Sequence, residues 1–264
     1  MRYSPLTELA LLARAPDEAL DLERIIVSIS RIGHPALDPA ELSRELDRIA
    51  ERVADVVTPS GPPDRVAAGF ARVLGGDLGF RGSPAAHRSP DGSYLHRVLE
   101  TRTGLPILLA ILWMCVGRRV GVEIRGIGYP GHFLARLELR GAPIYVDPYD
   151  GGTPMEADVL LDRLPPGVGR AVLEPSPTRA IVTRVLTNLK NLHVTQRDHG
   201  AALGIVDRLL LVAGEVPSEV RDRGLLLFHL DRAGEAKRDL LRYLTLSPDA
   251  VDRPHVETLL ARCG

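Results

Sequence analysis

Apolar residues recur at steps of three and four along the first part of the chain, and charged residues fill the positions between them. This period places apolar side chains on one face of a helix. The residues that form the pattern are Leu9, Leu12, Ala13, Leu20, Leu22, Ile25, Ile26, Ile29, Leu42, Leu46, Ile49 and Val53. We therefore predict a helical N-terminal region over residues 1–90, made of several short helices.

A nearly continuous apolar run follows Gly104 and ends at Arg118 and Arg119. It is shorter than the roughly 18 apolar residues of a membrane span, so it predicts a long buried helix. Pro106 stands at its start, where proline is best tolerated. Upstream of this helix, Ser93 precedes a shorter helical segment and is expected to cap it.

Beyond Gly121 the pattern changes to alternation with a period of two, which is typical of strands. The strand candidates are VEIRGIG, HFLARLEL and APIYVD, and short glycine-containing turns join them. Such turns connect antiparallel neighbours. The sequence therefore predicts an α+β fold in which a long helix packs on an antiparallel sheet.

Three glycines in this region, Gly126, Gly128 and Gly131, match the G-x-G-x-x-G spacing of dinucleotide-binding loops. Asp147 lies at about the distance of the acidic residue that binds a ribose. The fingerprint requires that the last glycine open a helix, whereas the segment that follows alternates like a strand. Pro130 also removes a backbone N–H from the loop. This pattern argues against a nucleotide site.

The C-terminal part is helical and repeats after about 34 residues, the length of a tetratricopeptide repeat. The matching pairs are Gly200 and Gly234, Ala202 and Ala236, Val206 and Leu240, and Leu210 and Leu244. The small alanines predict closely packed helices. Two units are fewer than a free solenoid needs, so we expect them to dock on the preceding domain. They either bind a peptide or only pack on the core.

The composition of the chain excludes several classes of binding partner. The chain has 264 residues and a formal net charge of −1 at pH 7, which argues against nucleic acid or an anionic membrane as the partner. No secretory signal precedes the first acidic helix, and two cysteines, Cys115 and Cys263, are too few for a disulfide framework or a zinc cluster. We expect a cytoplasmic bacterial protein that holds no metal or cofactor, and the oligomeric state stays open.

Three segments carry the most specific motifs: TRTGLPILLAILWMCVGRRVGVEIRGI, YPGHFLARLEL and IYVDPYDGG. In this order they resemble the transglutaminase-like (papain-like) core. Together with the GDLGF motif and the terminal repeats, they resemble the SirB family of transglutaminase-like proteins with tetratricopeptide repeats. The resemblance covers nearly the whole chain. It implies a transglutaminase-like core over residues 91–175 and repeats over residues 176–264.

In catalytic members of this fold a cysteine opens the helix, a histidine deprotonates it and an aspartate orients the histidine. The resemblance implies that His132 is the base and that Asp147 orients it. It also sets Pro106 at the position of the nucleophile, so the triad lacks its thiol. Cys115 does not replace it, because about 1.5 Å per residue puts it about 13 Å further along the helix. Its apolar neighbours indicate a buried structural thiol.

Further residues are expected to line the same cleft. They are Arg102, Thr103, Arg136 and Tyr149. Arg102 is suited to bind a carboxylate at the helix start. The hydroxyl of Thr103 lacks the local activation that an oxygen nucleophile needs.

Two functions follow. The first is a non-catalytic, protein-binding adaptor whose partner is another protein or a peptide. The alternative is an amide or ester hydrolase or acyltransferase, in which His132 and Asp147 activate water or a substrate group without a cysteine. A metal site made of these two residues with His87 or His96 is a third interpretation, but no spacing typical of metal ligands supports it.

Overall fold

The computed structural model describes residues 9–10, 14–141 and 143–263. The first part of the chain is helical, as predicted, although Leu12 and Ala13 of the N-terminal pattern lie outside the described residues. Its helices are α1 (Leu22–Gly33), α2 (Pro39–Ala54), α3 (Pro63–Phe70), α4 (Leu95–Thr101) and α5 (Pro106–Val120). Helix α5 begins at Pro106, as the sequence indicates.

Local signals explain several helix ends. The carboxylates of Asp21 and Asp38 accept backbone N–H groups at the starts of α1 and α2, which is the usual role of an N-cap aspartate. A π-helical segment, Ala71–Asp77, continues α3. The π-helix adds a residue to each turn, so it changes the direction in which the later side chains point.

The prediction that Ser93 caps α4 was wrong. Tyr94 occupies the N-cap position and its side chain forms no capping bond. The backbone amide of Leu95 instead donates to the hydroxyl of Ser30, which lies in α1, at 3.2 Å. A tertiary contact therefore satisfies a helix end for which the sequence suggested a local partner.

The three predicted strands are confirmed, and a fourth joins them in one antiparallel sheet, in which strands that follow one another along the chain are neighbours. The strands are β3 (Ile124–Ile127), β4 (Leu134–Leu137), β5 (Ile144–Asp147) and β6 (Thr153–Met155). A separate parallel pair consists of β1 (Arg81–Gly82) and β2 (Thr103–Gly104). Strands of two or three residues are too short to give a periodic signal, so β1, β2 and β6 were not predicted.

Helix α5 packs against β3 and β4, so the predicted arrangement of a long helix on the sheet is confirmed. A second layer forms around α6 (Ala157–Asp162). It contributes to an apolar cluster of Ile127, Leu134, Tyr145, Leu160 and Leu173. Strand β4 is consequently buried more fully than the half-buried strand that its alternation predicts.

The C-terminal helices form the predicted repeat of helical hairpins. They are α7 (Thr178–Thr195), α8 (His199–Ala213), α9 (Pro217–His229), α10 (Ala233–Leu246) and α11 (Arg253–Arg262). The two equivalent alanines, Ala202 and Ala236, are both completely buried. Another close contact between these helices lies at Gly224, where an added Cβ would stand 2.8 Å from Leu240.

The chain divides into two compact units. One comprises residues 21–181, and the other comprises residues 182–263 with the described residues before 21. The boundaries predicted at residues 90 and 175 stay predictions. Among the described residues, no helix is both long and apolar enough to cross a membrane.

Candidate functional site

His132 and Asp147 form a direct pair at one end of the sheet. The Nε2 atom of His132 lies 2.9 Å from both carboxylate oxygens of Asp147. Because an ionised carboxylate only accepts hydrogen bonds, Nε2 carries the hydrogen, and Nδ1 is the basic nitrogen of the neutral ring. The side chains are 26% and 17% exposed, so the pair is reachable from solvent.

The backbone holds each partner in place. Asp147 is the last residue of β5, and its carboxylate also accepts the amide N–H of Tyr149 at 2.9 Å. His132 lies in the turn before β4 and not in the strand itself, and its own amide donates to the carbonyl of Tyr129. Gly131 allows this turn, because its φ is +70°, a value that other residues rarely adopt.

Tyr149 completes the local cluster. Its ring lies edge-on to the imidazole of His132, with 5.6 Å between ring centroids, and 6.2 Å from the ring of His87. Gly82 in β1 also lies against the tyrosine ring, since a Cβ added there would stand only 2.1 Å from a ring atom of Tyr149. Gly82 is therefore required for the position of this ring, and no motif in the sequence indicates it.

The start of α5 is built from the segment that pairs with β1. Gly104 in β2 lies opposite Gly82, and the turn Pro148–Asp150 packs against both β1 and α5. The hydroxyl of Thr103 lies 3.2 Å from that of Thr101. Pro106 is the first residue of the helix. It offers neither a nucleophilic atom nor a backbone N–H.

Arg102 lies beside this segment in a left-handed conformation, with φ at +59°. Its carbonyl accepts the amide of Arg81 at 3.0 Å. The guanidinium stacks over Phe80 at 4.6 Å and lies 3.7 Å from Glu45. Arg102 thus already has an aromatic and a carboxylate neighbour, which holds it near the helix start.

Arg136 has partners of a different kind. It donates to Glu138 at 2.7 Å and to the carbonyl of Leu173 at 3.1 Å. Leu173 belongs to the apolar cluster around α6. The structure therefore brings His132, Asp147 and Tyr149 into contact with one another. The hydrogen bonds of Arg136 instead connect it to the layer around α6.

Cys115 lies in the interior of α5 and is only 4% exposed. Burial, together with the charge of Glu23, raises the pKa of its thiol far above the usual range. A thiol in this environment is a poor nucleophile. In the described residues, no three histidine, cysteine, aspartate or glutamate side chains form a group of the size that a metal ion needs. His96 contacts His34.

Two glycine-rich motifs, one around Gly75 and the other at Gly151 and Gly152, lie against each other near the site. Their close packing explains why small residues are needed in both. A Cβ added at Gly75, just before GDLGF, would stand 2.0 Å from the carbonyl oxygen of Gly151, and one added at Gly152 would stand 2.4 Å from Trp113. Both contacts leave room for hydrogen only. The spacing within each motif gives no sign that they touch, because the contact is tertiary.

A helix that packs on an antiparallel sheet, a histidine before one strand and an aspartate at the end of the next define a transglutaminase-like domain, which here precedes helical repeats. Comparison with known families gives the same class. The model described as "Transglutaminase-like superfamily" matches residues 40–187, and the model described as "Tetratricopeptide repeat" matches residues 189–261. The chain belongs to the transglutaminase-like superfamily.

Curated relatives match over most of their length. A UPF0162 protein of Xylella fastidiosa is 34% identical over 247 residues, which cover 90% of this chain and 88% of the relative. A UPF0162 protein of Pseudomonas aeruginosa is 28% identical, covering 83% and 82%. Protein SirB1 of Salmonella typhimurium is 24% identical, covering 79% and 78%, which confirms the resemblance to the SirB family. No solved structure matches the chain.

Proposed function

We propose that this chain is a non-catalytic transglutaminase-like protein that acts as a protein-binding adaptor in the bacterial cytoplasm. The observation that carries the proposal is Pro106 at the start of α5. Catalytic members of the fold have a cysteine at this point, and proline cannot attack an acyl group. The pair of His132 and Asp147 then has the role of a hydrogen bond that holds the loop before β4 to the end of β5.

The residues that could replace the cysteine support the same proposal. Cys115 is buried, and its thiol has a strongly raised pKa. The hydroxyl of Thr103 contacts Thr101, which is not a base that would activate it.

The helical repeats supply a surface for a partner. A hollow of about 260 Å³ lies among α8, α9 and α10. Its lining residues are Leu203, Asp207, Arg223, Leu227, Arg232, Glu235, Arg238 and Asp239. Leu203 and Leu227 belong to the buried core beneath the hollow, and the charges of both signs around it suit the charged side chains of a polypeptide. Arg238 is 75% exposed, and its nearest carboxylate lies 3.9 Å away, so it can bind a partner's acidic group.

The proposal is tested by quantitative mass spectrometry of proteins that co-purify with the tagged chain. We expect a specific partner with the unchanged protein and with His132→Ala, and a loss of that partner with Arg238→Glu. An exposed ion pair adds little stability, so Arg238→Glu should fold. The matched control is Arg48→Glu, since Arg48 is 64% exposed and also pairs at i,i+3. Equal recovery from all variants would contradict the role of the hollow.

The alternative is an amide or ester hydrolase or acyltransferase without a cysteine. The partly exposed His132 and Asp147 pair favours it, because the carboxylate would orient a basic imidazole. In that case a panel of amide and ester substrates is turned over, and Asp147→Asn abolishes turnover while circular dichroism stays unchanged. The adaptor proposal predicts that no such turnover exists.

A further inference from the structure

His96, in the first turn of α4, is buried without a hydrogen bond to its ring. The residue is only 6% exposed, and neither ring nitrogen has a hydrogen-bond partner among the described residues. A neutral imidazole carries one N–H donor and one acceptor nitrogen, whereas a protonated imidazole carries two donors and a positive charge. The folded chain therefore offers no acceptor for a proton added to this ring.

Another histidine lies against the same ring. His34, directly after α1, has its ring centroid 4.2 Å from that of His96, with 69° between the two planes. His34 is half-buried and therefore in contact with solvent. Two positively charged imidazoles at this distance repel each other. A proton on His96 is thus disfavoured by burial and also by any charge on His34.

The other charges around His96 do not remove this penalty. Asp91 and Glu100 favour a positive charge on the ring, whereas Arg97 opposes it. Both carboxylates already bind the guanidinium of Arg97. Burial, followed by the effect of His34, lowers the pKa of His96 from its ordinary value of 6.5 to about 4. The ring is therefore neutral near pH 7.

The contact that contains His96 holds two helices together. The ring of Tyr94 lies 6.0 Å from that of His96, and a Cβ added at Gly33 would stand 2.8 Å from the tyrosine ring. The amide of Leu95 donates to the hydroxyl of Ser30 at 3.2 Å, which ties the start of α4 to α1. Separation of the two helices would bring the ring nitrogens of His96 into water.

Helix α4 leads directly to the candidate site. Arg102 follows its last residue, Thr103 and Gly104 form β2, and α5 begins at Pro106. A Cβ added at Gly104 would stand 2.7 Å from the side chain of Val98, in α4, so β2 packs on this helix. A movement of α4 therefore also moves the segment that precedes α5.

We infer that the contact between His96 and His34 is an acid-sensitive switch: when His96 takes up a proton, α4 separates from α1 and releases the segment that leads to α5. The open form binds the proton more tightly, because its ring is in water. The closed contact is fully favoured above pH 6.5 and weakens as the pH falls from 6.5 to about 4. The equilibrium between the two forms changes on the order of 100-fold over this range. The inference applies equally to an adaptor and to an enzyme.

The test is hydrogen–deuterium exchange of the full chain, compared with that of His96→Phe at the same pH. Phenylalanine keeps a ring in the contact but cannot take up a proton. Because the intrinsic exchange rate at one pH is the same for both chains, the ratio of their rates reports the difference in opening. For peptides from residues 95–106, we expect the ratio of the unchanged chain to the variant to rise by about 10- to 30-fold between pH 7.5 and pH 5.0.

The matched control is His255→Phe, which replaces an exposed histidine of α11 and should keep the full acid effect. His34→Gln removes the neighbouring charge and should reduce the acid effect without abolishing it. If His96→Phe does not fold, titration of the His96 imidazole by ¹⁵N NMR in the unchanged chain decides, with a midpoint expected well below 6.5. An equal rate ratio at both pH values, loss of the acid effect in His255→Phe, or a His96 midpoint at 6.5 or above would overturn the inference.

Discussion

At the scale of single residues, the environment of a side chain decides its chemistry. His132 is held at one ring nitrogen by a carboxylate that the amide of Tyr149 also binds, so the orientation of the imidazole is set by the end of β5 and the turn that follows it. Cys115 has a more reactive functional group, but its side chain is buried in the protein core. The residue with intrinsic nucleophilicity is therefore the one that the fold makes inert.

The Cys115 environment predicts a structural role. Replacing it with serine should lower the free energy of unfolding by about 1–3 kcal/mol, because a buried hydroxyl needs a hydrogen-bond partner. Urea unfolding followed by circular dichroism measures this loss. A thiol reagent should also modify Cys115 only after unfolding, since burial raises its pKa. Rapid modification in the folded protein, located by peptide mass spectrometry, would show that the thiol is accessible.

At the scale of elements, two glycines of the repeats differ in the space around them. Gly224 lies inside α9, where an added Cβ would stand 2.8 Å from Leu240. Gly234 lies in the first turn of α10, and nothing stands within 4 Å of a Cβ added there. The two positions therefore separate close packing from intrinsic helix propensity.

These contacts predict opposite effects of the same substitution. Gly224→Ala should destabilise the protein by about 1–3 kcal/mol, since overpacking outweighs the gain of about 1 kcal/mol in helix propensity. Gly234→Ala should leave stability unchanged or raise it by up to about 1 kcal/mol. Urea unfolding of both variants compares the two directly. Similar changes in both would mean that α9 and α10 can separate slightly without cost.

The predictability of these elements followed from length. Helices α1, α2 and α5 and strands β3 to β5 have enough residues for a period to be visible. Strand β6, the β1–β2 pair and the π-helical segment do not, because their conformation depends on neighbours distant in the chain. The resemblance to a known family indicated His132 and Asp147 together, because their motifs can be read in the sequence. The contact of Gly82 with Tyr149 joins residues far apart in the chain, so no pattern around either residue predicts it.

At the scale of the whole molecule, acidic and basic residues nearly cancel. The chain carries 33 lysines and arginines against 34 aspartates and glutamates, and its isoelectric point is near 6.7. Many of these charges form ion pairs within the helices and between them, such as Arg119 with Glu23 and Lys190 with Glu219. Little net field is left to attract a polyanion over a distance.

This balance predicts the behaviour of the protein in solution. Its solubility should be lowest near pH 6.7, the isoelectric point, because like-charge repulsion between molecules vanishes there. A precipitation series across pH at constant ionic strength measures the minimum.

At pH 7.5 and low salt the protein should also pass through a heparin column. Retention to high salt would reveal a concentrated basic surface.

The close approach of Gly75 to Gly151 also constrains the number of residues in the segment before the site. Gly75 lies in the π-helical segment Ala71–Asp77, where each residue turns the chain by roughly 80°, somewhat less than in an α-helix. Deleting one residue there would rotate Gly75 away from the loop and bring a side chain around to meet Gly151. An insertion or deletion in this segment should therefore disturb the contact as much as a substitution of Gly75 would.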